Sequence, residues 1–311
     1  NNKGKNMNNL KKIGLTALAA SLVTTSAFAG EMSVAGSASI GVKNTTGTNT
    51  ALGKSWTMGN QLTFTGGGEL DNGMNVSLSF IIDQADDSTT GLANSPFDSH
   101  SVTISSDALG SFKFSGEGGS SAQGAMDAGA AGDLWNNGTG VAEITGAAAG
   151  NNSMFYTLPS MVDGLEVTAS MSPGKAAQET HTSYGVAYTG VEGLTVKFGQ
   201  GDSGAPGAEI ESTTMMASYA IGSFTVSASN TEADKTGANN REVRSYQVAY
   251  TLSDSMSATY GTETYETVGS STDEEIDSLG VSYTTGGMTL SATTFDTEGA
   301  GNTAGAKTER W

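Results

Sequence analysis

Beyond residue 30 the chain alternates apolar and polar residues with a period of two. Met74, Val76, Leu78, Phe80 and Ile82 alternate with Asn75, Ser77 and Ser79. Leu165, Val167, Ala169 and Met171 alternate with Glu166, Thr168, Ser170 and Ser172, and Tyr246, Val248, Tyr250 and Leu252 with Ser245, Gln247 and Thr251. Such alternation marks a strand whose two faces meet different surroundings, here one apolar and one small and hydroxylated. The pattern predicts fifteen strands, near residues 31–43, 54–68, 74–83, 98–106, 111–117, 152–158, 164–172, 180–189, 193–201, 209–220, 223–231, 242–252, 255–265, 274–284 and 288–297. The stretch from there to Trp311 starts a sixteenth, but residues 305–310 do not alternate.

The spacing between strands is as regular as the strands. Tyr156, Tyr188, Tyr219, Tyr250 and Tyr283 each end a strand before a short turn, at intervals of 32, 31, 31 and 33 residues. Val162-Asp163-Gly164, Glu192-Gly193, Ile221-Gly222 and Gly286-Gly287 supply the turn chemistry at these joints. The opposite hairpin ends carry longer polar loops, and all four prolines fall in turns or loops. The result is an up-and-down antiparallel meander. A soluble β-sandwich would bury the apolar face in a core, with less regular hairpins. A transmembrane β-barrel would turn that face to lipid, ring it with interfacial aromatics and keep a polar lumen. The evenly placed tyrosines read as one such aromatic girdle.

Residues 7–29 carry an export signal: Lys11 and Lys12, an apolar run from Ile13 to Val23, and a small-x-small cleavage site at Ala27-Phe28-Ala29. The run is too short to span a membrane. Residues 1–6 precede Met7 and read as translated leader, leaving 30–311 as the barrel domain. Export of a barrel of this kind places it in the outer membrane of a Gram-negative-type cell.

Composition sharpens this reading. The 14 basic residues face 32 acidic ones, and four of the lysines lie in the first 29 residues. The remainder carries a net charge of −22. Nucleic-acid binding, which needs the opposite sign, is excluded. So are disulfides and cysteine-based metal sites, because there is no Cys. The apolar fraction of 36% is low for a packed globule, but suits strands that need an apolar residue only at every second position.

One interval breaks the rhythm. Residues 118–151, between the fifth and sixth strands, are too many for an ordinary connection. Their Ala/Met/Asp-containing middle has the composition of a short helix. With Glu31-Met32-Ser33-Val34 and Gly36 at the start, Gly132-Asp133-Leu134-Trp135 in this loop, and Met154-Phe155-Tyr156-Thr157 leading to residues 165–174, the sequence resembles the general diffusion porins of Gram-negative bacteria. The alphaproteobacterial, Rhodobacter-type group is the nearest resemblance, and it covers residues 30–297. It implies a sixteen-stranded barrel, a homotrimer, an inward-folded third long loop that narrows the pore, and passive diffusion of small hydrophilic solutes without catalysis. Contact with lipid bilayer and lipopolysaccharide follows from that setting. Such porins oppose an acidic inner loop with wall arginines and lysines. Here the bases facing the lumen by parity are sparse: Lys43, Lys113 and Lys197. The non-alternating end further implies a last strand cut short, as in a chain lacking about one strand.

Candidate site residues follow from the loop. Asp127, Asp133 and Glu143 are either a negative ring at the constriction that favours cations, or solvated loop carboxylates. Lys43 and Lys113 are either counter-charges or bystanders, and Trp135 pins the loop to the wall. The acidic stretches 83–87 and 273–277 offer oxygen ligands for Ca²⁺ or for divalent bridges to lipopolysaccharide, or are solvated surface. No other cofactor or metal is expected. His100 and His181 sit on different strands with no ligand partner in sequence, and Gly116-x-Gly118 lacks the rest of a phosphate loop. The leading reading is a cation-preferring diffusion channel. A substrate-selective outer-membrane channel and a secreted acidic surface adhesin are the alternatives, and no catalytic constellation is assembled.

Overall fold

The period-two pattern becomes a closed antiparallel barrel of sixteen strands in the computed structural model. The structure describes residues 32–48, 53–83, 97–127, 129–136, 141, 144, 146–174, 179–236 and 240–311. The expected leader, the export signal with Ala27 and Ala29, and Glu143 lie outside them. The first five strands are β1 (Ser33–Gly47), β2 (Gly53–Glu69), β3 (Asn75–Asp83), β4 (Ser99–Ser106) and β5 (Gly110–Glu117). After the long loop come β6 (Ser153–Thr157), β7 (Leu165–Ser172), β8 (His181–Tyr188), β9 (Leu194–Ala205), β10 (Ala208–Ile221) and β11 (Phe224–Lys235). The ring is completed by β12 (Arg241–Ser253), β13 (Met256–Thr267), β14 (Glu274–Thr285), β15 (Met288–Glu298) and β16 (Lys307–Arg310). Each strand pairs with its chain neighbours, and β16 with β1.

The apolar set points outward. Val248 is 43% and Leu279 57% exposed, values a water-soluble core would not leave. Among the described residues no helix is long and apolar enough to cross a membrane; the strands cross instead. Tyr188, Tyr219, Tyr250 and Tyr283 stand opposite Leu165, Leu194, Phe224 and Met256, the apolar openers of the preceding strands. The Phe224 and Tyr250 rings lie 4.6 Å apart. Tyr156 stands opposite Phe112 and donates to the Leu109 carbonyl at 2.5 Å. Gly164 and Gly193, both at φ 75°, make the turns that follow Tyr156 and Tyr188. A Cβ on Gly193 would strike the Ala220 carbonyl oxygen at 2.5 Å.

Toward the long loops the outer face turns acidic. Register sets carboxylates directly opposite one another in three rows: Asp202, Glu211 and Asp234; Glu232, Glu242 and Glu266; Asp277, Asp296 and Glu309. Like charges in such positions repel. Arg244 relieves the second row by pairing with Glu242 and Glu266.

The stretch to Trp311, expected to start a sixteenth strand although residues 305–310 do not alternate, does so at Lys307–Arg310, which pairs with β15 from Phe295 to Glu298 and with β1 from Thr45 to Gly47. Asn44 and Trp311 extend the ladder by exchanging backbone hydrogen bonds of 2.8 and 3.1 Å. Hydropathy hid the bounds of β16 because all four of its residues are polar and sit beyond the apolar band, where alternation runs between solvent and a buried Thr308.

Outward and inward positions should differ sharply in their tolerance of charge. Val248→Arg, facing lipid, should cost about 2–4 kcal/mol of folding free energy. Ser291→Arg, on the opposite face of its strand, should cost less than about 0.5 kcal/mol. Denaturant titration of folding into lipid vesicles measures both.

Candidate functional site

The inner wall along β7–β13 carries glycine and hydroxyl residues because its alternate positions are small, and this leaves room for a segment of chain inside the barrel. The described part of residues 118–151 fills that room. It begins with one helical turn, α1 (Ala122–Met126), capped by Ser121, whose hydroxyl accepts the Gly124 N–H at 2.9 Å. A 3-10 turn follows at Leu134–Asn136.

Loop backbone N–H groups are held by successive wall strands. The Ala122 N–H donates to Ser170 on β7 and Ser183 on β8, each at 2.9 Å. Ala130 and Ala131 donate to Ser229 on β11 and Ser245 on β12, each at 2.8 Å. The Trp135 N–H donates to Glu263 Oε1 on β13 at 2.8 Å. Gln123, fully buried, donates to Thr214 on β10 at 2.8 Å and accepts the Ala147 N–H at 2.9 Å, tying both limbs of the loop together.

Missing side chains matter as much as present ones. A Cβ on Gly199 would meet Gln123 Cα at 2.9 Å, on Gly185 Met126 Cγ at 2.8 Å, and on Gly261 Ala131 Cβ at 2.7 Å. These distances are inside ordinary contact, so the wall admits the loop only where it lacks side chains. Further along, Leu134, Trp135 and Ile144 pack with Ile210, Val243, Tyr265 and Ile276 in an apolar cluster between loop and wall. The Trp135 and Tyr265 rings are 6.1 Å apart.

Two of the three loop acids can be located. Asp127 ends α1, and its Oδ1 accepts the Thr231 hydroxyl at 2.8 Å. Asp133 sits at φ 52°, a left-handed conformation few non-glycine residues adopt. Burial, then the neighbouring Asp127 charge, pushes its carboxyl above the usual range, against a lowering hydrogen bond at Gly129. Both acids line a cavity of about 350 Å³ with Ser121, Gln123, Ser229 and Thr231. Neither joins any of the ion pairs among the described residues.

The bases stand apart from these acids. Lys113 shares a face with Ser115, and Lys197 with Gly199, each two residues nearer the short turns. Lys43 lies on β1 opposite Ser55. Strand alternation divides the acidic stretch 273–277: Glu274 is buried inside and accepts the Gly301 N–H at 2.7 Å, whereas Asp277 faces out and accepts the Tyr260 hydroxyl at 3.0 Å. Of residues 83–87 only Asp83 is described. Among the described residues no three His, Asp or Glu side chains converge as metal ligands. His181 Nδ1 lies 2.6 Å from Asp202, a contact the spacing did not suggest.

The serine ladder, the glycine cradle and Glu263 were not singled out from sequence. Parity alone could have found Glu263, a charged residue between Thr262 and Thr264 on the face that also carries Gly261.

The sequence matches the Gram-negative porin family over residues 14–303. No curated protein matches it. Among solved structures, it resembles an anion-selective porin from Comamonas acidovorans (14% identity, covering 90% of this chain and 97% of that one, TM-score 0.64). It also resembles OmpF of Salmonella typhi in complex with daunomycin (11%, 90% and 96%, 0.67) and a mutant Rh. blastica porin (12%, 90% and 98%, 0.63). At these identities the structures speak to the barrel, while the family match speaks to kinship. The chain belongs to the Gram-negative porin family and is an outer-membrane channel protein rather than an enzyme.

Proposed function

We propose that the barrel passes small hydrophilic solutes and ions by passive diffusion, that residues 118–151 set its narrowest section, and that it prefers cations. The observation that carries the preference is the position of Asp127 and Asp133. Both line the inner-loop cavity without a basic partner, and the wall that holds the loop offers hydroxyl groups in place of bases. Unpaired carboxylates beside a narrow aqueous path favour cations by focusing the local potential. The Comamonas acidovorans relative is described as anion-selective. Within one barrel architecture the lining charges can set either sign of selectivity. Lys43, Lys113 and Lys197 act as weak counter-charges, and Trp135 holds the loop through its ring and its backbone N–H.

The native form is a homotrimer processed after Ala29. His100, beside the Phe80 and Phe97 rings, and Asn60 place polar groups on the outer face of β4 and β2. A second copy of the chain accommodates such groups better than lipid does. The outward carboxylate rows near the long loops support contact with lipopolysaccharide through divalent cations, which would relieve the repulsion within each row.

Three outcomes are expected. In planar bilayers with a KCl gradient, the reversal potential should lie toward the cation value and move toward zero in the D127N/D133N double variant. One carboxylate about 4 Å from a passing cation is worth about 1 kcal/mol in water, about fivefold in preference; a wild-type reversal toward the anion value would overturn the reading. Gly199→Leu should overpack the loop seat, weaken loop docking by about 1–3 kcal/mol and raise single-channel conductance. Native mass spectrometry in detergent should give three copies beginning at Gly30.

A further inference from the structure

The hairpin that joins β15 to β16 is longer than its strands require. Glu298 and Lys307 stand directly opposite each other and form an ion pair. A two-residue turn could join strands in that register, yet residues 299–306 lie between them. The surplus is folded rather than slack, with a 3-10 turn at Ala300–Asn302. The Thr303 N–H donates to the Gly299 carbonyl and the Ala306 N–H to the Thr303 carbonyl, each at 3.1 Å, and the Ala300 N–H to the Ala306 carbonyl at 3.2 Å. Its contacts show where it goes. Tyr265 and Glu274 stand opposite one another on the inward face, on the same sides of their strands as Glu263 and Ile276. At the rim of an open mouth such residues would be wetted, but both are fully buried. Thr297 and Thr308, paired on β15 and β16, are only 2% and 3% exposed. The Gly301 N–H donates to Glu274 Oε2 at 2.7 Å. Asn302 Nδ2 donates to the Thr272 and Tyr265 carbonyls at 3.2 and 3.4 Å, and its Oδ1 accepts the Thr267 hydroxyl at 3.1 Å. Asn302 sits at φ 54° and Gly299 at φ 67°, where a Cβ would strike the Asp273 carbonyl.

We infer that residues 299–306 form a second inward segment, held by the positioning residue Asn302, that narrows the mouth of the lumen and sorts solutes by size rather than charge. The inference rests on the reading that the barrel passes small hydrophilic solutes and ions, and adds a determinant of which ones enter. Tyr265 is the floor shared by the segment and the long loop. Asn302 bonds its carbonyl, while the Trp135 ring lies 6.1 Å from its own ring. Segment and loop therefore stack along β13, one at the rim and one deeper. Their chemistry differs. No acid or base lies between Glu298 and Lys307, and the residues left exposed are Thr303, Ala304 and Gly305. Pore width and lining charge are separate sources of selectivity. Small uncharged groups occupy cross-section without adding to the local potential, so this segment acts through width alone.

Swelling of proteoliposomes in arabinose, sucrose and raffinose, a size series of neutral sugars, tests this beside the reversal potential in a KCl gradient. Replacing residues 299–306 by the dipeptide Asn-Gly should raise the raffinose rate relative to arabinose several-fold and leave the reversal potential at its wild-type value. N302G permits the same backbone conformation but removes the side-chain bonds to Thr267, Thr272 and Tyr265. It should shift the sugar profile in the same direction. E274Q retains an acceptor for the Gly301 N–H and should keep the wild-type profile. Heat-modifiable migration shows which variants are folded. A wild-type sugar profile in either the short-turn or the N302G protein, once folded, would overturn the inference. So would a reversal potential that moves with the sugar profile. Neither result would touch the channel reading. Wild-type vesicles that neither swell nor conduct would instead overturn the reading of function on which the inference rests.

Discussion

Hydrocarbon offers no water to satisfy a strand's backbone groups, and the architecture follows from that constraint. Each unpaired N–H or carbonyl would cost several kcal/mol in lipid, so the sheet closes on itself, and even four polar residues serve as β16 because they complete the ring at its rim. Closure assigns one face of every strand to lipid and releases the other from any need to be apolar. The low apolar content and the abundant Ser, Thr and Gly are two sides of this division.

With the apolar face spent on lipid, the interior must be organised differently. Among the described residues there is no sheet-to-sheet core. The buried apolar cluster lies between the inner loop and the wall, built around Trp135, Tyr265 and Ile276. Its polar counterpart is the run of wall side chains that receive loop N–H groups. Net hydrogen-bond gains of about 0.5–1.5 kcal/mol each are modest singly, but here they are distributed over consecutive strands, so the loop is held along its length.

Much of the fold could be read along the chain. Strands such as β7 and β12 declare themselves because apolar and polar residues alternate strictly, and the tyrosine intervals mark hairpins. The bounds of β16 were not legible, since Lys307 to Arg310 alternate in burial but not in hydropathy. The site was legible only in part. Asp127 and Asp133 stood out as acids in an oversized loop, while Ser183, Ser245 and Gly199 look like ordinary members of a hydroxylated face. Their importance comes from a partner some 60 to 114 residues away in sequence for the two serines, which no local pattern records. Glu263 has the same difficulty, because the Trp135 N–H it accepts comes from a different part of the chain.

The anchors also divide the loop's two tasks between its backbone and its side chains. Ala122, Ala130, Ala131 and Trp135 are gripped at the main chain, so the grip makes little demand on which side chains the loop carries there. At these positions the side-chain requirement for docking falls on the wall, and within the loop it is confined to Gln123 and the apolar residues Leu134, Trp135 and Ile144. Substitutions in the loop can therefore alter what passes through the lumen while leaving the obstruction in place. Related channels built this way are free to exchange solute preference without redesigning the barrel that holds them open.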